Sequence, residues 1–429
     1  MRMDLIVVGA GRAGLAAAAA ATNVGLSVAV VDERRTPGGR VSGALGTSGH
    51  DPDGAWLSPP LRSDADAIDE IRRLRAEAQE AVFVSDALAW GLFPGWTVAV
   101  ARGGRGTERL DADQVVLATG SYVARSPFPG HRLDGVVTPL GLVRALEQGL
   151  VRPDEPVVVI GESASAIDII AVLADEGIGE VALLTDRPRD AGCPVFVLDG
   201  TPEAHGDPRV RAVTAPLAGG ERRTLAASWV VTVGPRSAAG ELATLAGCTS
   251  RFEGYDAGFR PECDTTGTTE LPGLFLAGSL AGAVGGDAST ASGKIAAMAA
   301  AVRAGRAGAT DLEELVAVRP RAARISPRRV SPVYRDLDPT SPEPVCFCTG
   351  ATFAEATASI RDGARSVDDV KRQAKAGMGE CQGRGCHRAV VRLLDLVGGL
   401  DVATLQPMRV RPPIRPITAR AMFEAEVPT

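Results

Sequence analysis

The chain has 429 residues, 45% of them apolar, which is enough for two or three domains with sizeable cores. Its formal net charge is −6 and its basic residues are scattered, which argues against nucleic acid as a partner. Seven cysteines, with no signal peptide read at the start, favour metal or redox chemistry over disulfides.

Residues 1–33 are apolar enough to suggest a membrane span, but Gly9, Gly11, Arg12, Gly14 and Gly25 interrupt them. They divide instead into strand, helix and strand, so no transmembrane segment is expected and the chain reads as cytoplasmic. Residues 5–8 form a continuous apolar run, as a strand buried on both faces requires. GAGRAG follows. Gly9 permits a tight turn, Gly11 lets backbone approach a pyrophosphate, and Gly14 lets a helix pack on the strand. A helix over 12–23 then points its first amides at the phosphates. LSVAVVDE (26–33) predicts the next strand, with a carboxylate at its tip placed for a ribose hydroxyl. Asp32 is the first candidate for that contact and Glu33 its neighbour. Strand, glycine turn, helix and distal acid together predict dinucleotide binding.

A second strand, turn and helix begin at EPVVVIGESASAIDIIAVLADEG (155–177). Gly161 is kept, but Ser163 stands where backbone would approach a pyrophosphate, and Glu162 adds negative charge beside it. Asp186, near the tip of VALLTDR, is the candidate ribose ligand, with Arg187 and Arg189 near a 2′-phosphate position. The favoured reading is a scaffold domain without a working NAD(P)H site. Cys193, Cys248 and Cys263 are isolated and read as small buried side chains.

Residues 306–344 have the composition of a linker with one short helix. A compact block over 345–397 follows, and then a tail over 398–429. The block holds Cys346 and Cys348 in a C-x-C, then 32 residues, then Cys381 and Cys386 in a C-x4-C. Between the pairs, Thr352 with Glu355 and Ser366 with Asp369 predict the capped starts of two short helices, ending at Gly363 and Gly377. Such a helix pair brings the cysteine pairs together. GMGECQGRGC is glycine-rich, as a loop must be if backbone amides are to approach cluster sulfurs. Lys371, Arg372, Lys375, Arg384 and Arg388 either offset an anionic cluster or form a solvated helix face. From spacing alone, structural zinc and an iron–sulfur cluster both remain open, although zinc knuckles usually read C-x2–4-C. His387 is read as lying beside the cluster or on the surface.

These segments carry a resemblance. DERRTPGGR (32–40), ADQVVLATGSYVARSPFPG (112–130) and TTELPGLFLAGSLAGAVGGDASTASGKIAA (268–297) resemble three flavin motifs of pyridine nucleotide–disulfide reductase-type proteins. The resemblance implies FAD held by Gly9, Gly11, Gly14, Asp32 or Glu33, Arg40, Thr119, Gly120, Gly278 and Ser279. Ser279 replaces the family's usual Asp, and Arg40 stands where Gln is common. Residues 1–192 contain no cysteine, so disulfide exchange beside a flavin is not expected. The 345–397 block resembles the bacterioferritin-associated-ferredoxin type of 2Fe–2S domain, which implies that Cys346, Cys348, Cys381 and Cys386 are its ligands. With the tail RVRPPIRPITARAM (409–422), the chain resembles the α-type subunits of heteromeric amine and imino-acid dehydrogenases, the opine oxidase, hydroxyproline dehydrogenase and hydrogen cyanide synthase group.

That resemblance implies an α/β fold. A Rossmann-like FAD domain over 1–150 and 250–305 holds an inserted degenerate NAD(P)-like domain over 151–249, and a small, mainly helical 2Fe–2S domain follows. It further implies a β subunit resembling D-amino-acid oxidases with its own FAD, and in some members a small ferredoxin-like subunit. Some relatives hold FMN between subunits and at least one binds ATP in place of FAD. The family also allows a peripheral position at the inner membrane face. No acid, base or nucleophile on this chain is expected to act in catalysis.

Overall fold

The computed structural model describes residues 2–39, 65–102, 106–123, 127–147, 153–154, 156–161, 164–188, 190–234, 236–255, 257–283, 285–318 and 332–423. The molecule is built on two parallel sheets, one inserted within the connectivity of the other. In the first, strands Val82–Val84, Val28–Val31 and Arg2–Val8 run parallel to the long strand Gly106–Leu117. Leu274–Leu276 joins its far end in parallel. The hairpin Ala87–Phe93 and Thr97–Arg102 adds antiparallel to its near end. The apolar run over 5–8 is buried on both faces, as the sequence requires: Leu5, Ile6 and Val7 have no exposed surface.

Helix Arg12–Asn23 lies on this sheet through alanines and Gly14, and helix Gly286–Arg303 packs against it. The approach is close because both faces are built of small residues. A Cβ on Gly293 would collide with the carbonyl oxygen of Ala13.

The chain leaves this domain after Gly106–Leu117 and returns through a second pair of short strands. Ser121–Val123 runs out and Arg236–Ala238 runs back, antiparallel to it. Between them lies the second sheet, ordered Val195–Val197, Val181–Thr185, Val157–Ile160, Trp229–Thr232 and Val136–Val137, all parallel. A three-stranded antiparallel sheet, from Glu203 to Ala226, flanks it. The returning segment packs at once beneath the first sheet, with Ala238, Leu242, Ala243 and Cys248 in its core. This is the expected α/β arrangement of two Rossmann-like units.

The third unit is helical. Helix Phe353–Arg361 starts on a reciprocal cap in which the Thr352 hydroxyl accepts the Glu355 amide and Glu355 accepts the Thr352 amide. Helix Val367–Ala374 starts on Ser366, which accepts the Asp369 amide. Its left-handed cap falls on Lys375 (φ +61°), two residues before the expected Gly377. A third helix, His387–Leu396, follows the last cysteine directly. The three bury a common core of Phe353, Ile360, Val367, Val370, Val390 and Leu394. No helix among the described residues is long and apolar enough to cross a membrane.

Candidate nucleotide and metal-cluster sites

The glycine turn shows why Gly9 and Gly14 are needed. Gly9 has φ +107°, and a Cβ there would sit 2.5 Å from the Ala118 carbonyl oxygen at the end of the neighbouring strand. A Cβ on Gly14 would strike the Gly9 carbonyl oxygen. Gly11 meets Gly39 from the next loop, where a Cβ on Gly39 would lie 2.9 Å from the Gly11 Cα. Helix Arg12–Asn23 has no side chain capping its start, so its first amides remain available to an anion. Arg12 pairs with Glu70 at 2.9 Å beside Gly286, at the start of the second helix.

Asp32 turns back onto this loop. One carboxylate oxygen accepts the Ala10 amide at 2.5 Å and the other the Arg34 amide at 2.8 Å. Burial raises its pKa, opposed by those two amides. Glu33 is exposed and pairs at 2.5 Å with Arg415 from the C-terminal tail. Of the remaining expected contacts, Thr119 Oγ1 donates to the Ala239 carbonyl at 2.7 Å, and Gly120 is left-handed at φ +75°. Gly278 is also left-handed, its amide donating to Ser292 Oγ at 3.0 Å. The Ser279 carbonyl accepts Arg260 at 2.7 Å. Arg40, and Glu162, Ser163 and Arg189 of the middle domain, lie outside the described residues. A tight glycine turn, an uncapped helix start and a fixed strand-tip acid fit an adenine dinucleotide such as FAD.

The four cysteines of the helical unit converge. Cys346 lies beside the Cys386 thiol, and Cys348 lies beside Cys381. Cys386 feels the charges of all three others. Cys346 is drawn down to about 4, first by the Cys386 thiol and further by the Gly377 amide and Thr349. The Gly377 amide donates to Cys346 Sγ at 3.4 Å. Gly379 packs so closely on Cys348 that a Cβ would collide with the Cys348 side chain. Cys346 and Cys386 are buried and Cys348 is exposed, so one edge of the site faces solvent. Four neighbouring thiols with the Gly377 amide donating to Cys346 Sγ fit an anionic cluster.

The basic residues divide between roles. Arg384 pairs with Glu241 at 2.7 Å and Arg388, 1% exposed, donates to Ser237 Oγ. Both tie the cluster block to the returning segment of the first domain. Lys371 donates to the Arg409 carbonyl, while Arg372 pairs with Asp369 on an exposed face. The solvated-face reading therefore fails for Arg388 and Arg384. His387 is buried rather than on the surface, its Nδ1 against the Gly383 carbonyl at 3.1 Å. Burial first, then Arg388, holds its imidazole down at about 3, so it is neutral.

Two features went unread in the sequence. Helix His387–Leu396 had a signal in the apolar spacing of Val390, Val391, Leu393 and Leu394. Met408 had none. It is 5% exposed, wedged between Gly377 and Gly383.

Comparison with known proteins shows what the chain is similar to. Residues 3–193 match the pyridine nucleotide-disulphide oxidoreductase family, and residues 344–395 match the BFD-like [2Fe-2S] binding domain. These matches support an FAD-binding oxidoreductase fold followed by a 2Fe–2S-type domain. More particularly, the chain is 27% identical to the opine oxidase A-type subunit of Rhizobium meliloti, over 96% of this chain and 86% of that protein. It is 27% identical to hydrogen cyanide synthase subunit HcnB of Pseudomonas aeruginosa, over 97% of both chains. The resemblance to the α-type subunits of this group is borne out. L-proline dehydrogenase from P. horikoshii shares the fold, at a TM-score of 0.75 and 20% identity, over 98% of this chain and 79% of that one. Thioredoxin reductase from T. acidophilum aligns over 71% of this chain and 99% of its own, at a TM-score of 0.54 and 17% identity.

Proposed function

We propose that this chain is the electron-transfer subunit of a heteromeric, flavin-dependent dehydrogenase or oxidase acting on an amine, imino acid or opine. One observation carries the reading. The four-thiol site is docked on the flavin-type domain by largely buried contacts, Arg384 to Glu241 and Arg388 to Ser237, while residues 1–192, which include the glycine turn, contain no cysteine. A flavin there has no disulfide beside it to exchange with, and the adjacent redox-capable group is the cluster. The near-full-length similarity to the opine oxidase A-type subunit and to HcnB supports a subunit role.

The residues divide the work. Gly9, Gly11, Gly14, Asp32, Glu33, Thr119, Gly120, Gly278 and Ser279 are assigned to FAD, with Arg40 completing the set. Cys346, Cys348, Cys381 and Cys386 are assigned to 2Fe–2S, which when bound supplies one-electron transfer. The chain's own contribution is to hold both groups close and dry. Substrate oxidation belongs to a partner subunit resembling D-amino-acid oxidases, with its own flavin.

The test is to purify the chain alone and with the product of a neighbouring oxidase-like gene. The chain alone should contain flavin, iron and sulfide but show no dehydrogenase activity with amino or imino acids. The pair should reduce an artificial dye. Robust turnover by the isolated chain sinks the proposal.

A further inference from the structure

We infer that Met408, supplied by the C-terminal tail, is a positioning residue of the cluster site that holds the Gly377 amide on Cys346. This rests on the 2Fe–2S reading above.

Gly377 and Gly383 are both left-handed, at φ +86° and +88°, and they sit on either side of Cys381 in the chain. Their turns meet around one thioether. A Cβ on Gly377 would collide with Met408 Sδ, and one on Gly383 would lie 2.5 Å from the same atom. A Cβ on either glycine would force the Met408 thioether to shift, and the Met408 side chain fills the space between the two turns. Gly377 is the residue whose amide donates to Cys346 Sγ. Gly383 carries the carbonyl contacted by His387 Nδ1 and by Cys386 Sγ.

Met408 is itself held in place. The next residue, Arg409, gives its amide to Asp368 at 2.9 Å and its carbonyl to Lys371 at 3.1 Å, both on helix Val367–Ala374. Further on, Gln382 donates to the Pro413 carbonyl and Arg384 to the Ile414 carbonyl, so the tail is fastened to the cysteine loop itself. Methionine suits the task because it is flexible enough to fill an irregular gap and has no hydrogen-bonding demand to meet.

The test compares the holo full chain with Met408→Ala and Met408→Leu. Amide exchange of the peptide over 376–387, chelator-driven iron loss and the cluster midpoint potential are measured together. Met408→Ala should speed exchange and iron loss several-fold and lower the midpoint, because an N–H···S bond favours the more negative reduced cluster. Met408→Leu should match the unchanged chain. An unchanged or raised midpoint in Met408→Ala, with unchanged exchange, overturns the inference. A second measurement needs no variant: removing iron from the unmodified chain should deprotect the peptide over 405–414 along with that over 376–387, and unchanged protection of 405–414 also overturns it. Iron and sulfide assay of the unmodified chain separates the two readings. A chain that holds neither removes the cluster reading and this inference together, whereas a loaded chain indifferent to Met408→Ala removes this inference alone.

Discussion

Arg384, three residues past Cys381, and Glu241, at the start of the helix Glu241–Ala246, form an ion pair of 2.7 Å with side chains 20% and 14% exposed. The pair bridges the cysteine loop and the flavin-type domain. Glu241→Gln leaves the guanidinium without its counter-charge in a mostly dry place. The expected cost is on the order of 2 kcal/mol, between that of an exposed pair and a buried one. A thermal melt of the whole chain reads it, and an unchanged melting temperature argues that the contact is passive.

Asp32 gives a pH dependence with a definite sign. Its folded pKa is raised by burial, so the folded state takes up the proton before the unfolded state does. Its contribution is most favourable below the ordinary carboxylate range and is lost as pH rises through the raised value. Asp32→Asn has no such charge to bury. The stability of Asp32→Asn relative to the unmodified protein should therefore be greatest at neutral pH and decline on acidification toward the carboxylate range. Paired melts at several pH values, without added nucleotide, check this.

Single replacement of Cys346, Cys348, Cys381 or Cys386 by Ser should each bring bound iron and visible cluster absorbance close to zero. Cys193→Ser and Cys248→Ser should leave both unchanged, since Cys248 is buried in the core of the first domain and Cys193 lies in the second. Zinc in place of iron in the purified chain would rule out the cluster reading.

Gly14→Ala should destabilise the first domain by about 1–3 kcal/mol, the usual range for forcing extra volume into a packed site. The new methyl has to displace the Gly9 carbonyl and with it the glycine turn. Bound flavin per chain should fall in parallel. Gly25→Ala is a useful contrast, because a Cβ there meets nothing within 4 Å, although its φ of +77° still carries some strain.

Neither NADH nor NADPH should bleach the flavin in anaerobic mixing. Gly161 keeps the first turn of the middle domain, with a Cβ there lying 2.6 Å from the Val233 carbonyl oxygen. The next residues in sequence are Glu162 and Ser163, whose charge and bulk are expected to disfavour a pyrophosphate. Rapid bleaching by either nucleotide would restore a working site.

Much of this was legible in the sequence because it is local. The glycine turn, the strand before it and the capped starts at Thr352 and Ser366 depend on residues a few positions apart. The shifted end of the second helix is instructive. Gly377 is a good helix stop by propensity, but it is engaged by Met408 and Cys346, and Lys375 takes the left-handed cap instead. What stayed hidden is long-range. Arg388 reaches Ser237 across 151 residues and Arg415 reaches Glu33 across 382. No periodicity or spacing announces such pairs, and a charged residue in a short helix is ordinarily solvated.

The tail that carries Met408 also lays Ile414 into the core of the first domain, with its amide on the Trp90 carbonyl, and brings the Ala421 carbonyl to Thr107. Chain order gives this a practical meaning. A fragment ending before residue 405 would contain every cysteine of the site and both glycine turns, yet lack the clasp that joins them to the other end of the molecule. Counting thiols in a shortened gene product would therefore overstate what it can hold.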